Sequence, residues 1–533
     1  MNVIQAVLIA LAANLASGRI WSPITWPFCY PLINGTIVGL ILGEPLLGML
    51  AGATINLVYI GWISAGGTMP SNIGIAGVYG TALTILAHAE PELAIAFAIP
   101  IGLLGVLQFQ LQMTINSIWV HRLDRNAENA ELDKVWVNAL LLPQITAFLI
   151  NGIPAFILMA VGGEFFVDMM SHIPETIINA LTVVGGLLPA LGVAMLLKYL
   201  GKKKLIPYFV IGFFLTTYLN LGIMPLAILG ACLAILLYFS SQKSESEESV
   251  EELVVETSQV HLTNRLTRAD RTKHYLIGLG AEMGYNYERM QASANLLAMV
   301  PIIRRLYTAK EDISAAMKRY LVFFNTEPSF VGTVIPGVCA SLEEQKANGA
   351  EISDEMITGL RTGLMGPLAG VGDSLAGGII YPIGISIGCS LALTNQSFAG
   401  PLIFFLLFAG IMLLLGSSLY NMGYARGGNS IISILGEGSR SITKLTDAFS
   451  VLGLLVIGGM GASRVIANVP LVINIGQTSI VMQDVLNGLI PNLLPFGIII
   501  AVWALLNKKV NPSWIVLVLT VFGIVGYFLG LLA

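Results

Sequence analysis

The stretch LINGTIVGLILGEPLLGMLAGATINLVYIGWI, Leu32 to Ile63, holds a single formal charge, Glu44. About 20 apolar residues cross the hydrocarbon core of a bilayer, so this run is long enough to enter it. Glycines, a proline and small polar residues nevertheless break it too often for one straight helix. The same reading extends outward. Residues 1–120 carry only Arg19, Glu44, Glu90 and Glu92 as formal charges, and further apolar runs cover Asn2 to Ala16, Ile73 to Ala89 and Leu93 to Val120. Broken runs are tolerated at membrane depth where the backbone is buried in protein or lines a wet cavity. They imply an all-α, polytopic integral membrane protein with re-entrant hairpins and a transport path.

Composition agrees. Of 533 residues, 55% are hydrophobic and 11% charged, where an ordinary soluble domain has roughly a quarter charged. Mean hydropathy is +0.80, so the solvent is lipid. A net charge of -4, with no Lys/Arg stripe interleaved with aromatics, excludes nucleic acid as a partner. The N-terminus MNVIQAVLIALAANLASG lacks the basic region of a cleavable signal peptide and is read as part of the mature chain. Cys29, Cys232, Cys339 and Cys389 make no CxxC pair. His88, His121, His172, His261 and His274 form no triad or metal set. These side chains are read as structural; no catalytic residue, metal or cofactor is expected.

Charge then orders the topology. HRLDRNAENAELDK (His121 to Lys134) and KYLGKKK (Lys198 to Lys204) are charged loops carrying Lys and Arg, expected to be cytoplasmic by the positive-inside rule, with apolar runs Val135 to Val161 and Ile177 to Leu197 between them. Ile206 to Phe239 forms a second hairpin. SSQKSESEESVEELVVETSQ (Ser240 to Gln259) is serine and glutamate without aromatics, a solvated tether. Residues 1–239 therefore read as one membrane domain, 240–259 as a flexible acidic linker and 260–533 as a second domain. In the latter, residues 260–356 are charged but helical in period, as in NYERMQASANLLAMVPIIRRL, and are placed on the cytoplasmic face. Residues 357–533 form its membrane part.

Three motifs carry candidate chemistry. GLMGPLAGVGDSLAGG (Gly363 to Gly378) lacks the Lys-Ser/Thr of a nucleotide loop. It reads as a tight glycine loop whose backbone and Asp373 meet a small polar ligand, or as a glycine-packed helix crossing capped by Asp373. In FFNTEPSF, residues Asn325, Thr326 and Glu327 stand before Pro328, at a forced helix break. Amide and carboxylate groups there suit paired sugar hydroxyls, or cap the next helix. In GATINLVYIGWISAGGTMPSN (Gly52 to Asn72), Asn56 and Trp62 could fix and stack a pyranose; the alternatives are a helix-helix hydrogen bond and an interfacial belt residue. Gln108, Gln110, Gln112 and Asn116 read as glue between helices.

Together these motifs resemble the mannose/fructose/sorbose class of bacterial phosphotransferase systems. GATINLVYIGW and GGTMPSN resemble its enzyme IIC subunit; GYNYERMQ, MVPIIRRLY, FFNTEP, SLEEQKANGAEI, GLMGPLAGVGDS and KKVNPSWI occur in the order of its enzyme IID subunit. The resemblance implies two lobes, IIC-like and IID-like, fused where the family has two chains. It implies a multi-pass protein of the bacterial inner membrane that binds a hexose or amino sugar outside and delivers it inside, where a separate IIB protein, phosphorylated by IIA, transfers phosphate. It further implies homotrimers, elevator-like motion, and substrate contacts at Asn56, Trp62, Asn325, Thr326, Glu327, Gly372, Asp373 and Ser374. Asn56 stands where many relatives carry Glu or Gln, which bears on the preferred sugar. An ion-coupled secondary sugar transporter is the alternative; the halves share no evident repeat, and few buried acids are present to carry protons.

Overall fold

The computed structural model describes residues 2–61, 71–160, 174–200, 202–243, 264–427, 447, 450–475, 478–510 and 512–533, and these are almost wholly helical. Lipid dictates this, because a helix satisfies every backbone N–H and C=O within its own segment. Among the described residues, Pro91–Glu128, Leu132–Ala160, Asp354–Asn395 and Ala399–Arg426 are long and apolar enough to cross a membrane. Two further pairs, Ser22–Cys29 with Pro31–Leu42 and Met482–Leu489 with Leu493–Asn507, are each bent by 72° at a short break, the geometry expected of re-entrant segments. One short antiparallel hairpin, Val472–Ile475 with Thr478–Val481 and Val472 opposite Val481, adds to the helical class.

The Leu32 to Ile63 run divides at Gly43, whose φ of +87° closes helix Pro31–Leu42 in the left-handed region. Pro45 then opens helix Pro45–Tyr59, where its missing N–H costs nothing. These helices approach backbone to backbone: a methyl group on Gly48 would lie 2.5 Å from the Cα of Gly39, and one on Gly52 would lie 2.2 Å from the Pro31 carbonyl oxygen. Small residues alone permit such contact.

One expectation is corrected. GLMGPLAGVGDSLAGG forms no tight loop; it lies in helix Asp354–Leu375 and the π-turn Ala376–Ile380, which leads into helix Tyr381–Asn395. Ser353 caps the start by accepting from Met356 N–H at 3.1 Å. Gly359, Gly363, Gly366 and Gly370 fall at helical spacing, with nothing within 4 Å of where a Cβ would stand. In hydrocarbon an open loop would strand its peptide groups, and that outweighs about 1 kcal/mol of poor helix propensity per glycine.

The two halves interlock along their length. Helix Pro189–Leu200 packs on Leu493–Asn507, Glu175–Leu187 on Pro512–Phe528, and Pro45–Tyr59 on Tyr381–Asn395. Helices Ile206–Leu219 and Ser450–Arg464 touch through Gly212, facing the Leu455 carbonyl, and Gly458, facing that of Phe209. At 35 residues, helix Ala94–Glu128 is about 52 Å long, so its charged end clears the hydrocarbon. There Asp124 receives Arg289 in a two-point pair at 2.6 and 2.9 Å. Nearby Asp133 pairs with Arg304 at 2.6 Å.

The charged region beyond residue 260 forms helices Arg268–Gly278, Ala292–Leu306, Lys310–Tyr320 and Val334–Ala347, as its periodicity requires. Of the acidic segment, Ser240 to Lys243 prolong helix Ile223–Lys243 and 244–259 lie outside the described residues.

Candidate functional site

The chain brings six interruptions of its helices to one place. Helix Val3–Gly18 ends at Arg19, whose φ is +45°. The turn Trp26 to Tyr30 precedes Pro31–Leu42, and Asn72 caps helix Ile73–Leu86 by accepting from Ile75 N–H at 3.2 Å. From the other half come the loop carrying Glu282, Tyr285 and Gln291, the break at Asn325 to Pro328, and the π-turn at Ala376. Around these lies a cavity of about 130 Å³, walled by both halves, room for several waters or one small polar ligand. Helix ends present unpaired backbone dipoles, so a cavity where they meet suits a polar ligand without net charge.

The walls alternate aromatic and polar groups. Tyr30 and Tyr381 stack across the interface with ring centroids 4.0 Å apart, and Phe109 faces Tyr285 at 6.4 Å. Arg19 Nη1 pairs with Glu282 Oε2 at 2.8 Å while its guanidinium lies 5.4 Å from the Phe109 ring centroid. Tyr285 donates its hydroxyl to Asn325 Oδ1 at 2.9 Å. Gln291 clamps the next residue, donating to Thr326 O at 2.7 Å and accepting from Thr326 N–H at 3.0 Å. Among the described residues the buried Thr326 Oγ1 finds no partner, which leaves it for a ligand or water.

Asn325, Thr326 and Asp373 of the expected residues line this cavity. Glu327 stands behind it and caps the turn. Its Oε1 accepts from Ser329 N–H at 2.8 Å and from the Ser329 hydroxyl, and its Oε2 accepts from Phe330 N–H at 2.8 Å. Gly372 allows the long helix to lie against Glu327, because a methyl there would come within 2.5 Å of the Glu327 Cβ. Asn56 is also one layer back, bonded to Leu32 N–H and to Tyr381. Ser374 has its backbone in helix Asp354–Leu375, and Trp62 lies outside the described residues. Among the glutamines read as glue, Gln108 bonds Ile150 O, and Gln112 accepts from Asn151 while also lining the cavity. Asn116 bonds Tyr285 O across the halves.

Sequence reasoning passed over Arg19, Glu282, Tyr285, Gln291, Tyr30 and Tyr381. Arg19 had a signal: it is the one cation in residues 1–120, and an isolated charge in an apolar block is costly and so functional. The aromatic pair had none, since Tyr30 and Tyr381 meet only through tertiary packing. Of the histidines, His274 fits the structural reading. Its Nδ1 lies 2.9 Å from the Tyr420 hydroxyl, and burial pushes its imidazole down to about 3, so it stays neutral. Cys339 and Cys389 are buried; Cys29 lines the cavity and Cys232 is exposed.

The cap role of Glu327 is testable. Glu327→Gln keeps the volume but turns an amide N–H₂ toward a backbone N–H, leaving one buried donor unmet. We expect a loss of about 1–3 kcal/mol, seen as a lower melting temperature in detergent. An unchanged melting temperature would show that the carboxylate does not hold the turn.

A family model described as the mannose/fructose/sorbose family IID component of phosphotransferase systems matches residues 265–532. Another, described as the sorbose-specific IIC component, matches residues 3–236. The chain is 40% identical over 275 residues to the sorbose-specific EIID component of Klebsiella pneumoniae, covering 50% of this chain and 98% of that protein. It is 40% identical over 287 residues to the mannose-specific EIID component of Escherichia coli K12, 52% of this chain and 99% of that one. Toward the mannose-specific EIIC component of the same strain the figures are 30% over 241 residues, 44% and 88%.

Proposed function

The chain belongs to the mannose/fructose/sorbose family of phosphotransferase-system permeases, with IIC-like and IID-like parts in one multi-pass plasma-membrane polypeptide, and from this we propose that it takes up a hexose or amino sugar for phosphorylation on the cytoplasmic side. The observation that carries the reading is the cavity that neither half encloses alone, with aromatic faces from Tyr30, Tyr381 and Phe109 and polar groups from Asn325, Thr326 and Asp373. An aromatic face covers the apolar side of a pyranose while a few fixed polar groups orient its hydroxyls. A neutral hexose needs no charged pathway, whereas its phosphate cannot recross hydrocarbon, so phosphorylation inside makes uptake one-way.

Asn325, Thr326 and Asp373 contact the sugar in this reading, and Glu327, Gly372 and Asn56 shape the wall behind them; Trp62 and Ser374 complete the expected set. A separate IIB protein, charged by IIA, donates the phosphate. Residues 240–259 tether the two domains and keep them at high effective concentration. The fused chain works as a homotrimer and carries its sugar by an elevator-like movement.

The test is uptake of labelled hexose into vesicles holding this chain. Rapid accumulation as sugar phosphate is expected only when phosphorylated IIB is supplied inside, and Asp373→Asn should lose at least tenfold in sugar affinity, about 1.4 kcal/mol, while folding normally. Full-rate uptake of unmodified sugar without IIB, abolished by an uncoupler, would favour the ion-coupled transporter instead.

A further inference from the structure

Asn56 is fully buried, and its two polar ends are fixed by different partners. Its Oδ1 accepts from Leu32 N–H at 3.1 Å. Leu32 is in the first turn of helix Pro31–Leu42, where a backbone N–H has no carbonyl within the helix. A backbone N–H can only donate, so the oxygen of the amide must face it and the –NH₂ must face the other way. That end meets the Tyr381 hydroxyl oxygen at 2.9 Å. Tyr381 is therefore the acceptor in this bond. A phenol also has one proton to give, and no second partner of the Tyr381 hydroxyl is found among the described residues. Tyr381 is 1% exposed, yet it forms part of the cavity wall, its ring held flat against Tyr30. A buried hydroxyl with a proton to spare, on a residue that lines a cavity, is a donor awaiting an acceptor.

We propose that Asn56 is a positioning residue that sets the hydrogen-bonding polarity of this wall: by donating to Tyr381 it makes the Tyr381 hydroxyl a donor toward the sugar. A carboxylate at position 56 would do the opposite. It would accept both from Leu32 N–H and from the Tyr381 proton, and the phenol would then offer the cavity only a lone pair. The sugar this chain prefers accordingly presents an oxygen lone pair at that point and not an ammonium group. Specificity is thus decided one layer behind the contact surface, where a polar mismatch left unpaired on binding costs far more than a lost methylene. This inference rests on the permease reading above.

The test uses a hexose panel in which each hydroxyl in turn is replaced by fluorine, which can accept but not donate, or by an ammonium group, which can donate but not accept. Binding is measured on the full chain in detergent, with melting temperatures alongside. At one ring position the wild type should tolerate fluorine and reject the ammonium by at least about tenfold; Asn56→Asp should invert that order. Tyr381→Phe should erase the preference at that position alone. In the double variant Asn56→Asp/Tyr381→Phe the ammonium preference should vanish too. If it persisted, the new charge and not the phenol would set it, and the proposal would be overturned. Uniform weakening across the panel in Asn56→Asp, with the order kept, would overturn it equally. Should Asn56→Asp not fold, Tyr381→Phe decides: an unaltered fluorine-over-ammonium preference sinks the idea. A wild type that bound no hexose at all would instead bring down the permease reading, and this inference with it.

Discussion

Replacing Glu343 by alanine should lower stability by about 3–5 kcal/mol, the cost of leaving a buried charge without its partner. Glu343 is fully buried in helix Val334–Ala347. Its carboxylate takes Arg319 Nε at 3.0 Å and Nη2 at 2.9 Å, and also the hydroxyls of Tyr307 at 2.6 Å and Tyr320 at 2.9 Å. Burial alone pulls the Arg319 guanidinium down, but Glu343 and its neighbours pull harder, so the net direction is upward and Arg319 stays charged. In Glu343→Ala that charge would keep only Asp354, bonded at 2.6 Å, whose side chain is 42% exposed and correspondingly screened. The check is thermal unfolding in detergent, followed by near-ultraviolet signals from the two freed tyrosines. Two comparisons separate a charge effect from a volume effect. Asp354→Ala should cost no more than about 1 kcal/mol. Arg319→Met combined with Glu343→Met should recover most of the loss, because an apolar pair avoids the desolvation penalty altogether. If the double variant melted as low as Glu343→Ala, the tyrosine hydroxyls and not the ion pair would be the main term.

The consequence reaches the site through Asp354. It begins the helix that carries Asp373 to the cavity, and Lys346 reaches it at 3.0 Å from the same helix as Glu343. Helices Lys310–Tyr320 and Val334–Ala347 are thereby keyed to the starting register of helix Asp354–Leu375, so a disturbance of the polar network would be felt along the axis that leads to the cavity.

What the sequence disclosed follows from which physics was local. Apolar runs and charged loops are one-dimensional signals, so the lipid solvent, the helical class and the charged helices beyond residue 260 could be read directly. The break at Pro328 was legible because a proline constrains its predecessor, and Asn325 and Thr326 do reach the cavity. At Gly363 to Gly378 the sequence leaves a loop and a helix crossing both open, because propensity is local while the need to satisfy peptide groups in hydrocarbon, which decides for the helix, is not. For Glu327 the sequence offers two roles, a sugar contact or a cap, and the structure gives both its oxygens to backbone N–H groups of the turn that follows. Arg19 and Glu282 stand 263 residues apart and could be joined only by folding.

Gly52→Ala, the first residue of the GATINLVYIGW motif, is expected to damage both fold and binding. The added methyl would lie 2.2 Å from the Pro31 carbonyl oxygen, a main-chain atom that cannot rotate aside as a side-chain tip can, so helices Pro31–Leu42 and Pro45–Tyr59 must part. Overpacking of this kind costs about 1–3 kcal/mol and occasionally more. The helices are also braced by Gly48 against Gly39, so separation at one end works against a fixed contact one turn away. The displaced segment is the one that matters: Pro31 is preceded by Tyr30, on the cavity wall, and followed by Leu32, whose N–H holds Asn56 in the orientation that Tyr381 depends on. Sugar affinity should therefore fall by about tenfold or more, roughly 1.4 kcal/mol, even in the fraction that folds. The control is the same substitution at Gly359, where nothing lies within 4 Å of the new methyl. There alanine should stabilise the helix by up to about 1 kcal/mol and leave binding unchanged. Equal effects at the two positions would mean that glycine flexibility, and not the close approach of these two backbones, is what the motif provides.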